Sequence, residues 1–257
     1  MTTTPAPAVA ARAPELAGQT VVVIGGSSGM GLETARRARA EGGSVVLTGR
    51  DPGRLEQAAT EVSARGSAAF DATDPAALAG FFAGLPGTVD HIMVTAGGPY
   101  YARLADLDHA RAVRDFDLHL WLPVAVAQHA AGRVRPGGTL LFVTGTDARR
   151  PAPGQALMAA GTAAMPALIA NLAVELAPVR VNLIAAGFVD TPLSATLLGG
   201  ALERRCEQLR ATLPIGRVVG PADIAALAVH LMANTAVTGA TYDIDGGQQL
   251  VSAEQAQ

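Results

Sequence analysis

The chain has 257 residues, 49% hydrophobic and 16% charged, with a formal net charge of −3. That much apolar material builds a sizeable core and excludes disorder for most of the chain. The slightly acidic balance excludes a general binder of nucleic acid or of anionic membrane surfaces.

Residues 1–15, rich in Ala, Pro and Thr, read as a loose tail. They lack the continuous apolar core of a signal peptide, so a cytoplasmic location is expected. One domain is expected over residues 16–252, followed by a short tail, 253–257. Short β-branched runs mark strands at Thr20–Ile24, Ser44–Thr48, His91–Thr95, Thr139–Thr144, Val179–Ile184 and Thr241–Ile244. Helices are expected near 30–42, 52–65, 75–84, 103–131, 154–177 and 221–233. Most of the strands are apolar along their whole length, as in sheets covered on both faces. Strand–helix alternation of this kind predicts a doubly wound parallel β-sheet with helices on both faces, an α/β fold. The stretch 192–215 breaks the alternation and is placed to cover a binding crevice. Residues 156–177 are apolar enough to raise a membrane span. Pro166, Asn171 and Glu175 favour a buried helix instead, and no membrane partner is expected.

The first strand, TVVVI, runs into GGSSGMG and then a helix, with Gly25, Gly29 and Gly31 spaced G-x-x-x-G-x-G. Glycines let a backbone turn approach a pyrophosphate, which then sits on the first amides of the following helix. The turn, with Ser27, Ser28 and Met30 between its glycines, resembles the cofactor loop of the short-chain dehydrogenase/reductase family. Ile24 stands where that family usually has Thr. Asp71, followed by Ala72 in FDATD, is similar to the family's adenine-contacting aspartate. Val94–Gly98, VTAGG, resembles its Asn-Asn-Ala-Gly segment, with Thr95 for the second Asn, and so implies Ala96 and Gly97 as cofactor contacts. VRVNLIAAGFVDT resembles Asn-x-x-x-Pro-Gly-x-x-x-Thr. Asn182, Gly187 and Thr191 match, Ala186 replaces Pro, and Val189 would offer its backbone to the nicotinamide amide. A closing helix, strand and Asp-Gly-Gly complete a resemblance over residues 18–250. It implies a single Rossmann-type domain, a nicotinamide dinucleotide, a small-molecule substrate, and a homodimer or homotetramer built on helices 103–131 and 154–177.

The second strand ends VVLTGRD. An acid at this tip usually holds the ribose diol of NAD(H). Here the matching residue is Gly49, followed by Arg50, which can hold a 2′-phosphate by charge-assisted hydrogen bonds. Asp51 is the competing acid, but Asp51-Pro52 has the form of a helix cap followed by a first-turn proline. NADP(H) is therefore expected in preference to NAD(H).

The family resemblance implies catalysis by a Ser, a Tyr and a Lys four residues beyond it, aided by an Asn on an earlier helix. Those positions fall on Gly145, Leu157, Gly161 and His119. All 19 Lys-plus-Arg positions are Arg, so no mechanism that needs a lysine amine is open to this chain. Candidate replacements are His119, whose imidazole type titrates near neutral pH, Tyr100 and Tyr101 beyond the TAGG turn, and Asp147. For each there is a plainer reading: a structural histidine, pocket-lining tyrosines, and a turn or cap aspartate. Arg149 and Arg150 read as a solvated loop pair, with steering of an anionic substrate as the alternative. Cys206 reads as a surface or half-buried helical thiol, and one cysteine excludes an internal disulfide. His91, His109, His129 and His230 lack metal-ligand spacing, so no metal is expected. The expected function is an atypical NADP(H)-dependent oxidoreductase acting on a small carbonyl or imine. The alternatives are an inactive NADP(H)-binding sensor or partner subunit, and a non-redox enzyme using the same pocket.

Overall fold

The computed structural model describes residues 13–251, so the expected tails fall outside it except for residues 13–15. Seven strands form one sheet: β1 (Thr20–Ile24), β2 (Ser44–Gly49), β3 (Gly66–Ala69), β4 (Val89–Val94), β5 (Val134–Gly145), β6 (Arg180–Ala186) and β7 (Thr241–Ile244). Their spatial order is β3-β2-β1-β4-β5-β6-β7, and every pairing is parallel. The helices are α1 (Gly29–Ala40), α2 (Pro52–Glu61), α3 (Pro75–Ala83), α4 (His109–Ala130), α5 (Ala156–Glu175), α6 (Pro192–Leu198), α7 (Leu202–Thr212) and α8 (Pro221–Ala233).

The period-2 geometry of a strand divides its apolar run between two cores. Val22, Ile24, Ile92, Leu140, Phe142 and Leu183 face one side, where α3, α4 and α5 cover them. Val21, Val23, Val45, Leu47, Met93 and Ile184 face the other, against α1, α2 and α8. This is the doubly wound α/β sheet that the alternation predicts. Strand order reverses between β1 and β4, and the crevice outside their carboxyl ends is where such sheets bind ligands.

Several helix starts are written locally. Asp51 accepts from Arg54 N (2.9 Å), Asp74 from Ala76 N (2.9 Å) and Ala77 N (3.2 Å), and Asp108 from Arg111 N (2.7 Å). Pro52 and Pro75 follow two of these caps at the first helical positions. The Asp108 cap also corrects the fourth helix: it begins at His109 rather than near 103, and Leu104–Asp106 is a separate 3-10 turn. β3 is a strand that the sequence pattern does not announce. GSAA has no β-branched or aromatic residue. Backbone pairing to β2 makes this edge a strand. α5 passes through Pro166 as one helix, burying Met158, Met165, Ile169 and Leu172 against the sheet layer. It is long and apolar enough to cross a membrane by composition, yet it packs here as a layer of the domain.

Away from the crevice, two buried polar side chains tie the end of α8 to β6. The Arg180 guanidinium donates to the carbonyls of Leu231 (2.7 Å), Met232 (2.7 Å) and Asn234 (2.9 Å), at the end of α8 where carbonyls lack helical partners. Asn182 donates to Val237 O (3.0 Å) and accepts from Ala240 N (3.3 Å), pinning the loop into β7. The family-like Asn182 is thus a loop anchor.

His91 on β4 is 1% exposed and is bonded through Nε2 to Gln19 Oε1 at 2.6 Å. Burial chiefly pulls its pKa down to about 4. Arg180 and Arg135 add to the effect and Asp90 opposes it. A histidine depressed in the folded state leaves the unfolded chain to take up the proton first. Its contribution to stability is whole above about pH 6.5 and is lost as pH falls toward 4. Urea unfolding at about pH 7 and about pH 4.5 is expected to show His91→Gln losing about 2–3 kcal/mol less than the wild type over that interval. Equal losses in the two proteins would refute the assignment.

Candidate active site

The turn after β1 is built by close backbone approach. Gly25 has φ +96°, and a Cβ there would lie 2.7 Å from Ala96 N. A Cβ on Gly31 would overlap Gly25 O and lie 2.6 Å from Thr95 Oγ1. Thr95 locks this packing by donating to Gly25 O at 3.0 Å. The result presents Ser27, Ser28 and Gly29 at the start of α1, whose first amides have no intrahelical partners. Ser28 is the N-cap residue but makes no side-chain cap bond. This cradle, which side chains would fill, fits a dinucleotide pyrophosphate held on a helix N-terminus.

Farther along the same edge, Gly49 is buried, and a Cβ there would lie 2.9 Å from Ser27 Oγ. Any side chain at the strand tip would displace Ser27. Arg50 is exposed and, among the described residues, its side chain has no hydrogen bond or ion pair. The Asp51 carboxylate is committed to capping α2. Asp71 is exposed and accepts from Thr73 N (3.0 Å) and Thr73 Oγ1 (2.9 Å), while Ala72 turns its methyl into the core.

Beyond the turn lies a cavity of about 520 Å³, lined by Met30, Ala96, Gly97, Gly187, Val189 and Thr191 among the expected cofactor residues. Thr191 also caps α6, accepting from Ser194 N at 3.2 Å. Gly187 packs against Asp245, so closely that a Cβ would lie 2.6 Å from Asp245 Cβ. The 192–215 segment covers this cavity: Leu193, Leu197 and Leu198 from α6 and Arg205 from α7 all face it.

The four proton-transfer candidates separate. His119, Tyr101 and Asp147 line the cavity together. Tyr101 donates its hydroxyl proton to Asp147 Oδ1 at 3.0 Å. Desolvation first, then the charge and hydrogen bond of Asp147, hold the Tyr101 hydroxyl well above its ordinary range. Asp147 Oδ2 occupies the space that a side chain at Gly145 would need. His119 donates through Nδ1 to Asp115 O (2.7 Å), the carbonyl one turn back on α4. A backbone carbonyl can only accept, so the proton sits on Nδ1 and Nε2 is left to exchange. Gly161 on α5 packs beside this side chain, and a Cβ there would meet His119 Cβ at an ordinary contact distance of 3.6 Å.

Tyr100 takes a different place from its neighbour. Its ring is buried outside the crevice, its hydroxyl accepts from Asp108 N (3.0 Å), and the Arg111 guanidinium lies 4.3 Å over the ring centroid. Leu157 likewise lines only a small satellite cavity beside Tyr100. Cys206 is buried on α7 rather than at a surface, and burial pushes its thiol pKa up, which disfavours a reactive thiolate. No cluster of three metal-ligating side chains occurs among the described residues. Sequence reasoning left Arg205, Gln248 and Ser194 out of the site. Gln248 Oε1 accepts from Phe188 N (3.0 Å), and Ser194 Oγ donates to Val189 O (2.6 Å). None of these residues carries a local motif.

Residues 24–249 match the family described as enoyl-(acyl carrier protein) reductase. The chain is 27% identical to "Short-chain dehydrogenase/reductase ATR9" of Stachybotrys chlorohalonatus, over 91% of this chain and 98% of that protein. The MalC reductase/Diels-Alderase of Malbranchea aurantiaca superposes with a TM-score of 0.84 at 26% identity, covering 92% of this chain and 97% of that one. A structure of BdcA in complex with NADPH gives 0.81 at 26%, covering 90% and 95%. With its parallel seven-stranded sheet, its glycine cradle at the β1/β4 switch point and a match running through nearly all of the domain, the chain belongs to the short-chain dehydrogenase/reductase family of nicotinamide-dependent oxidoreductases.

Proposed function

We propose that this protein is an NADP(H)-dependent reductase of a small carbonyl or imine compound, with His119 as the proton donor. The observation that carries the reading is one wall of one crevice. The cavity beyond the cofactor cradle is lined by Gly145, where the family's serine is expected, and by the imidazole of His119, with Gly161, at the expected lysine position, packed beside that histidine. When bound, the dinucleotide supplies a hydride. The chain's own residues do the rest. The Gly25–Gly31 turn and the first amides of α1 hold the pyrophosphate. Nδ1–H of His119, tied to Asp115 O, fixes the ring; Nε2 takes up a proton from solvent to give the imidazolium, and delivers that proton to the developing alkoxide or amine, returning to the neutral ring. The Tyr101 hydroxyl gives its hydrogen to Asp147, which orients the pair as a polar wall and withholds that proton from the substrate. Losing a positioned acid matched to ketones costs about 10²–10⁴-fold in rate, so imines and activated enones suit the site better than simple ketones.

NADP(H) is favoured over NAD(H) by three features: a strand tip that admits no acid, an unpaired Arg50, and an Asp51 spent on capping. The NADPH complex of BdcA supports the same choice. The homo-oligomer implied by family resemblance is proposed to pair through α4 and α5, which expose Trp121 (65%) and Val174 (78%). Sedimentation at micromolar concentration is expected to show a dimer or tetramer, and a monomer would count against the pairing.

For the cofactor, fluorescence titration at one ionic strength is expected to give tighter binding of NADPH than of NADH. Arg50→Ala is expected to weaken NADPH about 10- to 100-fold and leave NADH unchanged, as loss of charge-assisted hydrogen bonds requires. An unchanged preference in that variant would remove Arg50 from the site.

For the chemistry, NADPH oxidation is measured against ketones, imines and activated enones. His119→Ala is expected to lower turnover at least about 10²-fold, and Tyr101→Phe to act mainly on KM. Brisk ketone reduction untouched by either change would show the proton donor to be elsewhere. Tight NADPH binding with no turnover of any compound favours the second reading, an inactive NADP(H)-binding subunit, which the same Leu157 and Gly161 positions support.

A further inference from the structure

Arg149 and Arg150 are neighbours in sequence but part company in the fold. Arg149 turns outward to ion-pair with Asp243. Arg150 turns into the crevice, donating one bond to Gln248 O at 2.8 Å. From the opposite cover, Arg205 on α7 also lines the crevice, with one bond to Gln208 Oε1 at 2.8 Å. Both side chains are partly buried, and neither has a carboxylate partner among the described residues.

The carboxylates nearby are already committed. Asp147 holds the Tyr101 hydroxyl, Asp243 holds Arg149 and Gln249, and Asp245 accepts from Gly247 N (2.8 Å) and Gln249 N (3.0 Å). Burial first, and the Arg150 charge second, lower the Arg205 pKa. Two guanidinium groups drawn from water beside one another are unfavourable unless an anion joins them. Each retains unused donors in a planar fork suited to an oxyanion. The same cavity is lined by the apolar Leu193, Leu197, Leu198 and Phe188, with Gln248 and Gln249 as neutral polar neighbours.

We infer that the crevice takes a substrate with an apolar body and one oxyanion, a carboxylate or a phosphate, clasped between Arg150 and Arg205. This names the substrate class of the proposed reductase site and so rests on that reading for its chemistry, though the anion clasp is measured without turnover. Two arginines on the cavity lining also draw anions in from solution.

The test is ligand-observed NMR and calorimetry on the NADPH-loaded protein, using 4-phenylbutanoate, phenethyl phosphate and the neutral 4-phenylbutanamide. At least one of the anions is expected to bind about tenfold more tightly than the amide, and which one does so separates carboxylate from phosphate. Arg150→Gln and Arg205→Gln are each expected to remove most of that preference, and Arg205→Lys to keep part of it. NADPH affinity is expected to be unchanged in all three. Equal binding of anions and amide, no binding of either anion, or a preference that survives both Gln changes together would overturn the clasp. If the wild-type protein fails to bind NADPH, the same measurement is made on the cofactor-free protein, and an intact anion preference there would overturn the reductase reading and leave the clasp standing.

Discussion

Everything at the functional edge depends on one close contact of backbone, the approach of α1's first turn to the end of β1. The Gly31 backbone lies against Gly25 O, and Thr95, from the end of β4, reaches across to the same carbonyl. Only glycine can stand at position 31 without forcing these pieces apart. The contact fixes where α1 begins and aims its unpaired amides over the carboxyl end of the sheet. It also fixes the gap between β1 and β4, the switch point from which the crevice opens.

That crevice trades one set of charges for another. No lysine exists in the chain to supply a cation deep in the pocket. Positive charge is supplied instead by Arg150 and Arg205 on the lining, and the Asp147 carboxylate accepts from the Tyr101 hydroxyl. The space of a side chain at Gly145 is taken by Asp147, and Gly161 lies in contact range of His119, where α4 and α5 meet. A glycine on the wall is thus a place where a neighbour's polar group moves in. The polar groups on this wall come from the turn after β5, from α4 and from the loop after β4.

Stability is carried away from that edge. Arg180 and Asn182 lie on β6, where they fasten the end of α8 and the loop leading into β7. His91 is held neutral within β4. Arg180 and Asn182 are satisfied by backbone carbonyls and amides and His91 by Gln19, so they tie together elements far apart in sequence without lining the crevice. The separation leaves the covering segment, α6 and α7, free to carry exposed apolar residues such as Leu193 and Leu197 toward the site.

The sequence by itself determined the sheet, the cradle and the caps. Short β-branched runs apolar along their whole length, Asp-Pro pairs at helix starts and glycines at fixed offsets are local patterns, set by torsions and near-neighbour sterics. It also determined what chemistry was unavailable, because the absence of lysine is a matter of composition. Only the tertiary structure decided that β3 is a strand, since GSAA becomes one through hydrogen bonds borrowed from β2. Only the tertiary structure separated Tyr101, in the crevice, from Tyr100, buried behind it. In an irregular loop no periodicity says which way successive side chains point. And only the fold joined Arg150 to Arg205, because their meeting depends on how α7 packs over the sheet's edge, a contact between distant segments for which no local pattern exists.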